Sequence, residues 1–322
     1  MAGIEGMGTT YNLPNYVGDL FQISPEDTPF LSAIGGLTGG RDAGATRFEW
    51  QTTDLRDASA TRQRVEGASV DSTERTRSKA YNVVEIHQEA VELSYTRQAT
   101  KTQVNTGGDT VINIGGVRIP ADELQFQVDA QMKQIARDVE LSFLTGTFAD
   151  PANNTNPRRT RGLLEAITTN TESLDVTGGV EVDKFRDAVL DLMQKVGTNG
   201  GIHESETRTI LTNATGKRLL SAAFISGAGF QETSRNVGGV DLQTFETDFG
   251  RVNIMLDRFM PADTLAVVSL EECAPRFLEI PGKGHFFVEP LAKTGASTKV
   301  QIYGEIGLEY GNQIHHGKLT LA

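Results

Sequence analysis

The chain has 322 residues, long enough for about two domains at about 150 residues each. A count of 38% apolar residues leaves out glycine; taking in the 34 glycines and omitting tyrosine raises the share to about 47%, the ordinary globular range, which excludes a mainly disordered chain. The net charge of −12 excludes a surface built throughout to grip nucleic acid, and a single cysteine excludes an internal disulfide framework.

No apolar run approaches the roughly 18 residues needed to span a bilayer, residues 265–268 being among the longest. The opening Met-Ala-Gly-Ile-Glu-Gly lacks the basic segment and apolar stretch of a signal peptide. The expectation is an acidic, glycine-rich cytosolic protein with no membrane association.

Residues 1–40 carry four charges, all acidic: Glu5, Asp19, Glu26 and Asp27. Thr28 before Pro29 reads as an N-cap followed by proline at the first helical position, with Gly35 as the stop, so one short helix is predicted over 29–34. Phe21, Ile23, Phe30, Leu31 and Ile34 are too many apolar residues for so short a segment to bury alone. The arm is therefore expected to lie on another part of the protein or on a neighbour.

Residues 46–53 alternate, with Phe48 and Trp50 on one face, and Val91, Leu93 and Tyr95 alternate near the other end of the next stretch. Between them, 54–79 is rich in Ser, Thr and Arg and offers only Leu55, Val65 and Val70 to a core. A long projecting hairpin is predicted, with arms of about 15–20 residues reaching roughly 50–65 Å. Such a hairpin cannot stand alone in water and needs a partner surface. Its arginines, Arg56, Arg62, Arg64, Arg75 and Arg77, are interleaved with acids, which suits a protein interface better than phosphate binding.

Residues 121–146 are predicted as a very long helix. Pro120 precedes it, Asp122 and Glu123 fill its first turn, Gly146 ends it, and Leu124, Val128, Met132, Ile135, Val139 and Phe143 share one face. A Pro/Asn/Thr loop over 151–161 then carries Arg158, Arg159 and Arg161, with no acid from Pro151 to Leu164. From Gly178 onward helix and strand alternate. Val182, Phe185, Val189, Leu192, Met193 and Val196 mark a helix stopped by Gly197; 208–212 is a strand; Asn213 caps a helix through Ser226. After a glycine-rich loop over 227–239, strands are predicted at 252–256, 265–270, 286–288, 299–305 and 308–313.

Motifs for catalysis and cofactors fail on spacing. Thr215-Gly216-Lys217-Arg218 lacks both the earlier glycine and the hydroxyl residue of a phosphate loop, and the Gly282-Lys283-Gly284 segment lacks the third glycine of a dinucleotide loop. His203-Glu204 has no second histidine at metal spacing, and His315 and His316, adjacent on a strand, point to opposite faces. These histidines read as surface or strand residues, and Cys273 reads as a packed thiol. No catalytic residue, cofactor or metal site is predicted, although 42 carboxylates leave open a soluble hydrolase or a carbohydrate-binding protein.

The order of segments resembles the major capsid proteins of tailed double-stranded DNA bacteriophages, the Hong Kong phage-type capsid fold. Tyr11-Asn12-Leu13-Pro14 and Thr28-Pro29-Phe30-Leu31-Ser32-Ala33-Ile34-Gly35-Gly36 share in the resemblance. It implies an α+β fold with an N-terminal arm at 1–40 and an extended β-hairpin loop at 41–100. A peripheral domain at 101–175 would hold the spine helix 121–146, an α/β axial domain would fill 176–275, and return strands of the peripheral domain would fill 276–322. It also implies self-assembly as hexamers and pentamers into an icosahedral virion capsid that encloses DNA without sequence-specific binding and is assembled in the host cytoplasm. Phe21, Phe30, the five hairpin arginines and the 158–161 arginines become subunit-interface candidates. Portal and decoration proteins are implied partners, and, because the chain has no room for a scaffolding segment of about a hundred residues, so is a separate scaffolding protein, or none. Lys79 is the only lysine in the central loop and has no assignable partner, so no cross-link is predicted. An encapsulin-like nanocompartment shell is the alternative of the same fold.

Overall fold

The computed structural model describes residues 27–53, 58–96, 111–114, 117–120, 123–200, 208–225, 233–237, 240–247, 249–292 and 295–322. The Tyr11–Pro14 pattern, Phe21, Arg56 and His203 lie outside them.

Helix α1 (Pro29–Ile34) starts on a proline at its first position, where no N–H is needed, and ends at Gly35, whose φ of +129° only glycine adopts freely. Thr28 precedes it as predicted, but its side chain makes no capping bond. Strand β1 (Arg41–Asp42) is followed by β2 (Arg47–Thr53) and β3 (Arg77–Val83), which pair antiparallel from Arg47 opposite Val83 to Thr53 opposite Arg77. The hairpin exists, but its ladder runs seven residues, about 23 Å, instead of the longer arms expected. The described residues between, 58–76, hold no strand. Cross-strand side-chain pairs stabilise a ladder, and this polar stretch has almost none to offer. The segment around Val91 is not the returning arm. It belongs to β4 (Glu85–Ser94), which pairs with a later strand and buries Val91 and Leu93.

Strands β5 (Val111–Ile114) and β6 (Val117–Pro120) form a small antiparallel pair. Helix α2 (Glu123–Thr145) has 23 residues and is about 35 Å long, with Val128, Ile135, Val139 and Phe143 buried at the predicted spacing. Helix α3 (Leu163–Ala166) and strand β7 (Thr171–Leu174) lead into α4 (Val182–Thr198), strand β8 (Arg208–Thr212) and α5 (Ala214–Leu220). Asn213 caps α5 as expected, its side-chain oxygen accepting from the Gly216 N–H at 2.9 Å. The α-helix stops at Leu220, and a π-helical turn, Ser221–Ile225, continues it.

The remaining strands are β9 (Thr233–Val237), β10 (Val240–Thr247), β11 (Gly250–Leu256), β12 (Thr264–Ser269), β13 (Ala274–Phe277), β14 (Phe286–Pro290), β15 (Ser297–Glu309) and β16 (Gly317–Leu321). Where two strands were expected across 299–313, β15 is continuous. Its burial is unbroken from Gly304 to Glu309, as in a strand covered on both faces.

Seven strands form a mixed sheet in the order β7-β16-β12-β8-β11-β10-β9. Phe185, Val189, Leu192, Met193 and Val196 of α4 pack with Ile210, Val252, Ile254, Leu265, Val267 and Leu319 of that sheet, all nearly inaccessible. Each fully buried side chain of this size contributes roughly 1.5–3 kcal/mol before entropy is counted. A Cβ on Gly317 would stand 2.6 Å from Val196, so glycine lets β16 run under the helix. The sheet thus takes its strand β16 from the segment the sequence groups with the returning strands, because Leu319 completes the apolar face beneath α4.

A second sheet runs β1-β13-β15-β14, with β4 also on β15. The chain divides into two compact units, one including 88–135 and 288–303, the other including 28–87, 136–287 and 304–322.

Candidate assembly surfaces

The hairpin is anchored at its base by a buried amide. Asn82, fully inaccessible, donates to the Leu308 carbonyl (2.7 Å) and the Arg161 carbonyl (3.1 Å), and its oxygen accepts from the N–H groups of Arg161 (2.8 Å) and Val83 (2.9 Å). Every hydrogen-bonding position of the amide group is used. Glu85 extends the network: it accepts from the Thr160 N–H at 3.1 Å and bonds the His87 ring at 2.9 Å, while the Thr160 hydroxyl accepts from the Leu308 N–H. Trp50 closes the other side, donating from Nε1 to the Gly311 carbonyl at 2.7 Å, edge-on to Tyr310 with centroids 4.9 Å apart. Gly307 sits where a Cβ would meet the Val83 carbonyl at 2.6 Å, which is how β15 approaches the hairpin so closely.

Arg47 pairs with Asp150 and Tyr81 packs edge-on to Phe148; further out, the described residues bond within the hairpin. Lys79 pairs with Glu49 at 3.0 Å and Arg77 donates to Gln51 across the ladder, both exposed. Arg62, Arg64 and Arg75 are exposed on the tip, where Val65 and Val70 are 80% and 58% accessible. Isolated exposed valines are ordinary; here two lie on one polar projection, each followed by an acid (Glu66, Asp71).

The three arginines of the 151–161 loop separate. Arg158 pairs with Glu305 at 2.8 Å, largely buried. Arg161 donates to the Tyr310 hydroxyl at 3.2 Å and stacks 4.4 Å over Phe148. Arg159 alone is exposed, fixed through its backbone to Ala149 and carrying no ion pair among the described residues. It lines a cavity of about 290 Å³ at the C-terminal end of α2 with His87, Ser142, Thr145 and Arg158, beside the exposed apolar side chains of Ile86 and Leu141.

Phe30 is not free to cover a neighbour: it and Leu31 are buried within the subunit. The first-turn N–H groups of α1 at Phe30 and Leu31 donate to the two carboxylate oxygens of Glu140 on α2, at 2.8 and 2.6 Å. Glu140 thus supplies the cap that Thr28 does not. The sequence signal was a carboxylate among Ile135, Val139, Phe143 and Leu144, where a surface residue is not expected. Burial, and next the charge of Asp257, pushes the Glu140 carboxyl up to about 9; Asp257 is raised too, again by burial first.

The other reactive side chains are structural. His316 is fully buried, accepting from the Ser269 N–H at Nδ1 (3.2 Å) and bonded through Nε2 to the Tyr310 carbonyl (2.7 Å); burial holds it below the usual histidine range. His315 pairs with Glu272. Cys273 is buried, its thiol pushed up by burial. No group of three metal-ligating side chains is found among the described residues, and no described helix is long and apolar enough to cross a membrane.

The hairpin thus has a hydrogen-bonded base and, over the described residues 58–76, a fully exposed polar tip. The chain is 24% identical to the major capsid protein of Escherichia phage Phieco32, across 93% of this chain and 91% of that protein. The capsid of Myoviridae phage XM1 shares the fold with a TM-score of 0.59 at 11% identity, covering 99% of this chain and 100% of the other. The encapsulin of the holo-SrpI complex from Synechococcus elongatus PCC 7942 gives 0.57 at 11% identity, covering 97% and 92%. Residues 3–322 match the family of SU10 major capsid proteins, and the chain belongs to that family.

Proposed function

We propose that this capsid subunit works by assembly alone, without catalysis, as the repeating unit of hexamers and pentamers in an icosahedral phage head that encloses double-stranded DNA. Heterologous contacts closing into rings are the physical basis. The hairpin is the proposed inter-subunit connector, with Arg62, Arg64, Arg75 and Arg77 making ion pairs to a neighbour, and Arg159 is the proposed contact of the 151–161 loop. The arm 1–40 and loop 41–100 serve contacts. The spine helix carries the peripheral part, and α4, α5 and the seven-stranded sheet carry the axial part. Assembly takes place in the host cytoplasm, with portal and decoration proteins as partners and with a separate scaffolding protein or none. The net charge of −12 suits a wall that does not bind its cargo tightly. An encapsulin-like shell would share the fold; the family match over residues 3–322 favours the phage head.

The observation that carries this reading is the hairpin tip, whose described residues 58–76 are all exposed while its base is fully hydrogen-bonded. Replacing 54–76 by Asn-Gly joins Thr53 to Arg77 with a two-residue turn that suits the ladder. The expected result is a folded subunit that forms no shells by electron microscopy, and shells at normal yield would refute the assigned role.

A further inference from the structure

We propose that Glu140 and Asp257 share one proton and act as a pH-sensitive latch that holds α1 on α2. Both side chains are wholly inaccessible. Glu140 accepts both α1 N–H groups; Asp257 is fixed by its own N–H on the Thr212 carbonyl (2.9 Å) and accepts the Phe259 N–H at Oδ1 (2.8 Å). Its Oδ2 is buried with no donor among the described residues. The two carboxyls meet within hydrogen-bonding reach, and a proton between them supplies the donor that this pair of acceptors otherwise lacks. One proton leaves one negative charge, which the paired N–H dipoles at the start of α1 stabilise. Two charges in this site would repel in a place closed to water.

The elements around the pair carry the following ionisable side chains. Helix α1 has no ionisable side chain, and Asp27 precedes it. Helix α2 adds Arg137 and Asp138 near Glu140. The strands that α1 touches, β10, β11 and β13, carry Asp241, Glu246, Arg251 and Arg276, and the turn after β12 carries Glu271 and Glu272. Arg258 follows Asp257. Arg276 is engaged by Glu309, and Glu272 by the Asn312 N–H and His315. The charge that bears on Glu140 is that of Asp257.

The closed latch holds a proton that the released, solvated carboxyls give up. Release is therefore favoured about tenfold per pH unit from just above the ordinary carboxylate range until the closed pair itself ionises near 9, and levels off beyond. The test is hydrogen exchange on the full-length protein between about pH 6 and pH 8, corrected for base catalysis and referred to the α4 core amides. Protection at Phe30 and Leu31 is expected to fall about a hundredfold across those two units. Asp257→Asn keeps every bond, its amide donating to Glu140 and its oxygen accepting from Phe259, and removes the shared proton. Its profile should be flat, and the infrared carbonyl band of a protonated carboxylic acid present in the wild type at pH 7 should vanish. A wild-type profile that is flat, or no acid band at pH 7, overturns the latch. So does an unchanged slope in Asp257→Asn; should that variant not fold, Glu140→Gln must abolish the same band.

Discussion

Replacing Asn82 tests whether the hairpin is held at its base. Truncation to alanine strips partners from two N–H groups and two carbonyls in a site closed to solvent. An unsatisfied buried polar group costs about 1–3 kcal/mol. The vacated volume admits one water, which can serve about three of the four groups. The net loss expected is about 2–4 kcal/mol, a large part of the roughly 5–15 kcal/mol that stabilises a domain. Asn82→Asp keeps the shape but sets a second oxygen against the Leu308 and Arg161 carbonyls. That carboxyl must take up a proton to fold, so this variant is stabilised as pH falls toward about 4 and loses that stability as pH rises, whereas the alanine variant shows no such slope. Trp50, the single tryptophan, lies at the same base and reports urea unfolding by fluorescence. A loss below about 0.5 kcal/mol in Asn82→Ala, the range of an indifferent surface change, would refute the anchoring argument.

Two further outcomes separate surface from core. Arg159→Glu should leave the unfolding midpoint unchanged and lower shell yield in sedimentation, while Arg158→Glu, which sets a second acid against the mostly buried Glu305, should destabilise the subunit by about 1–3 kcal/mol before any assembly is measured. Normal shell yield from Arg159→Glu would remove that residue from the interface. Cys273, buried with its thiol raised, should react with a disulfide reagent only as the protein unfolds in urea, and rapid labelling of the native subunit would contradict the packing around it.

Local patterns told most where one residue's neighbours in sequence are also its neighbours in space. The α2 periodicity, the Asn213 cap, the α4 core face and the hairpin's polar middle are of this kind. What escaped depends on partners far along the chain. Asn82 reads as one polar residue in a strand; its partners are 79 and 226 positions away. Glu140 stands in the sequence as a carboxylate among apolar neighbours, but the helix it caps, α1, is 109 residues distant. The 151–161 arginines look alike in sequence, yet Glu305 and Tyr310 engage two and leave one outward. Strand β16 was hidden because its sheet partners are β12 and β7.

The proposed connector also bears on how such shells correct errors. The subunit spends its hydrogen bonds and aromatic contacts at the hairpin base and leaves at the described tip two accessible valines and a mixed set of charges. Burying Val65 and Val70 on a neighbour yields roughly 1.5–3 kcal/mol each at most, and exposed ion pairs add about 0–1 kcal/mol apiece. Ordering the tip residues costs about 1–2 kcal/mol per residue in backbone entropy. One docked hairpin is therefore too weak to hold two subunits for long. On the proposed role, a subunit closed into a ring both donates a hairpin and receives one, and the second contact forms at a high effective concentration. Misplaced subunits held by one contact leave quickly, and correctly placed ones held by several stay. A tip carrying a larger apolar surface would bind tighter singly and lose that discrimination, so Val65→Phe with Val70→Phe is expected to trap irregular aggregates in place of closed shells. Closed shells at undiminished yield from that double variant would show that the tip's weakness has no part in assembly.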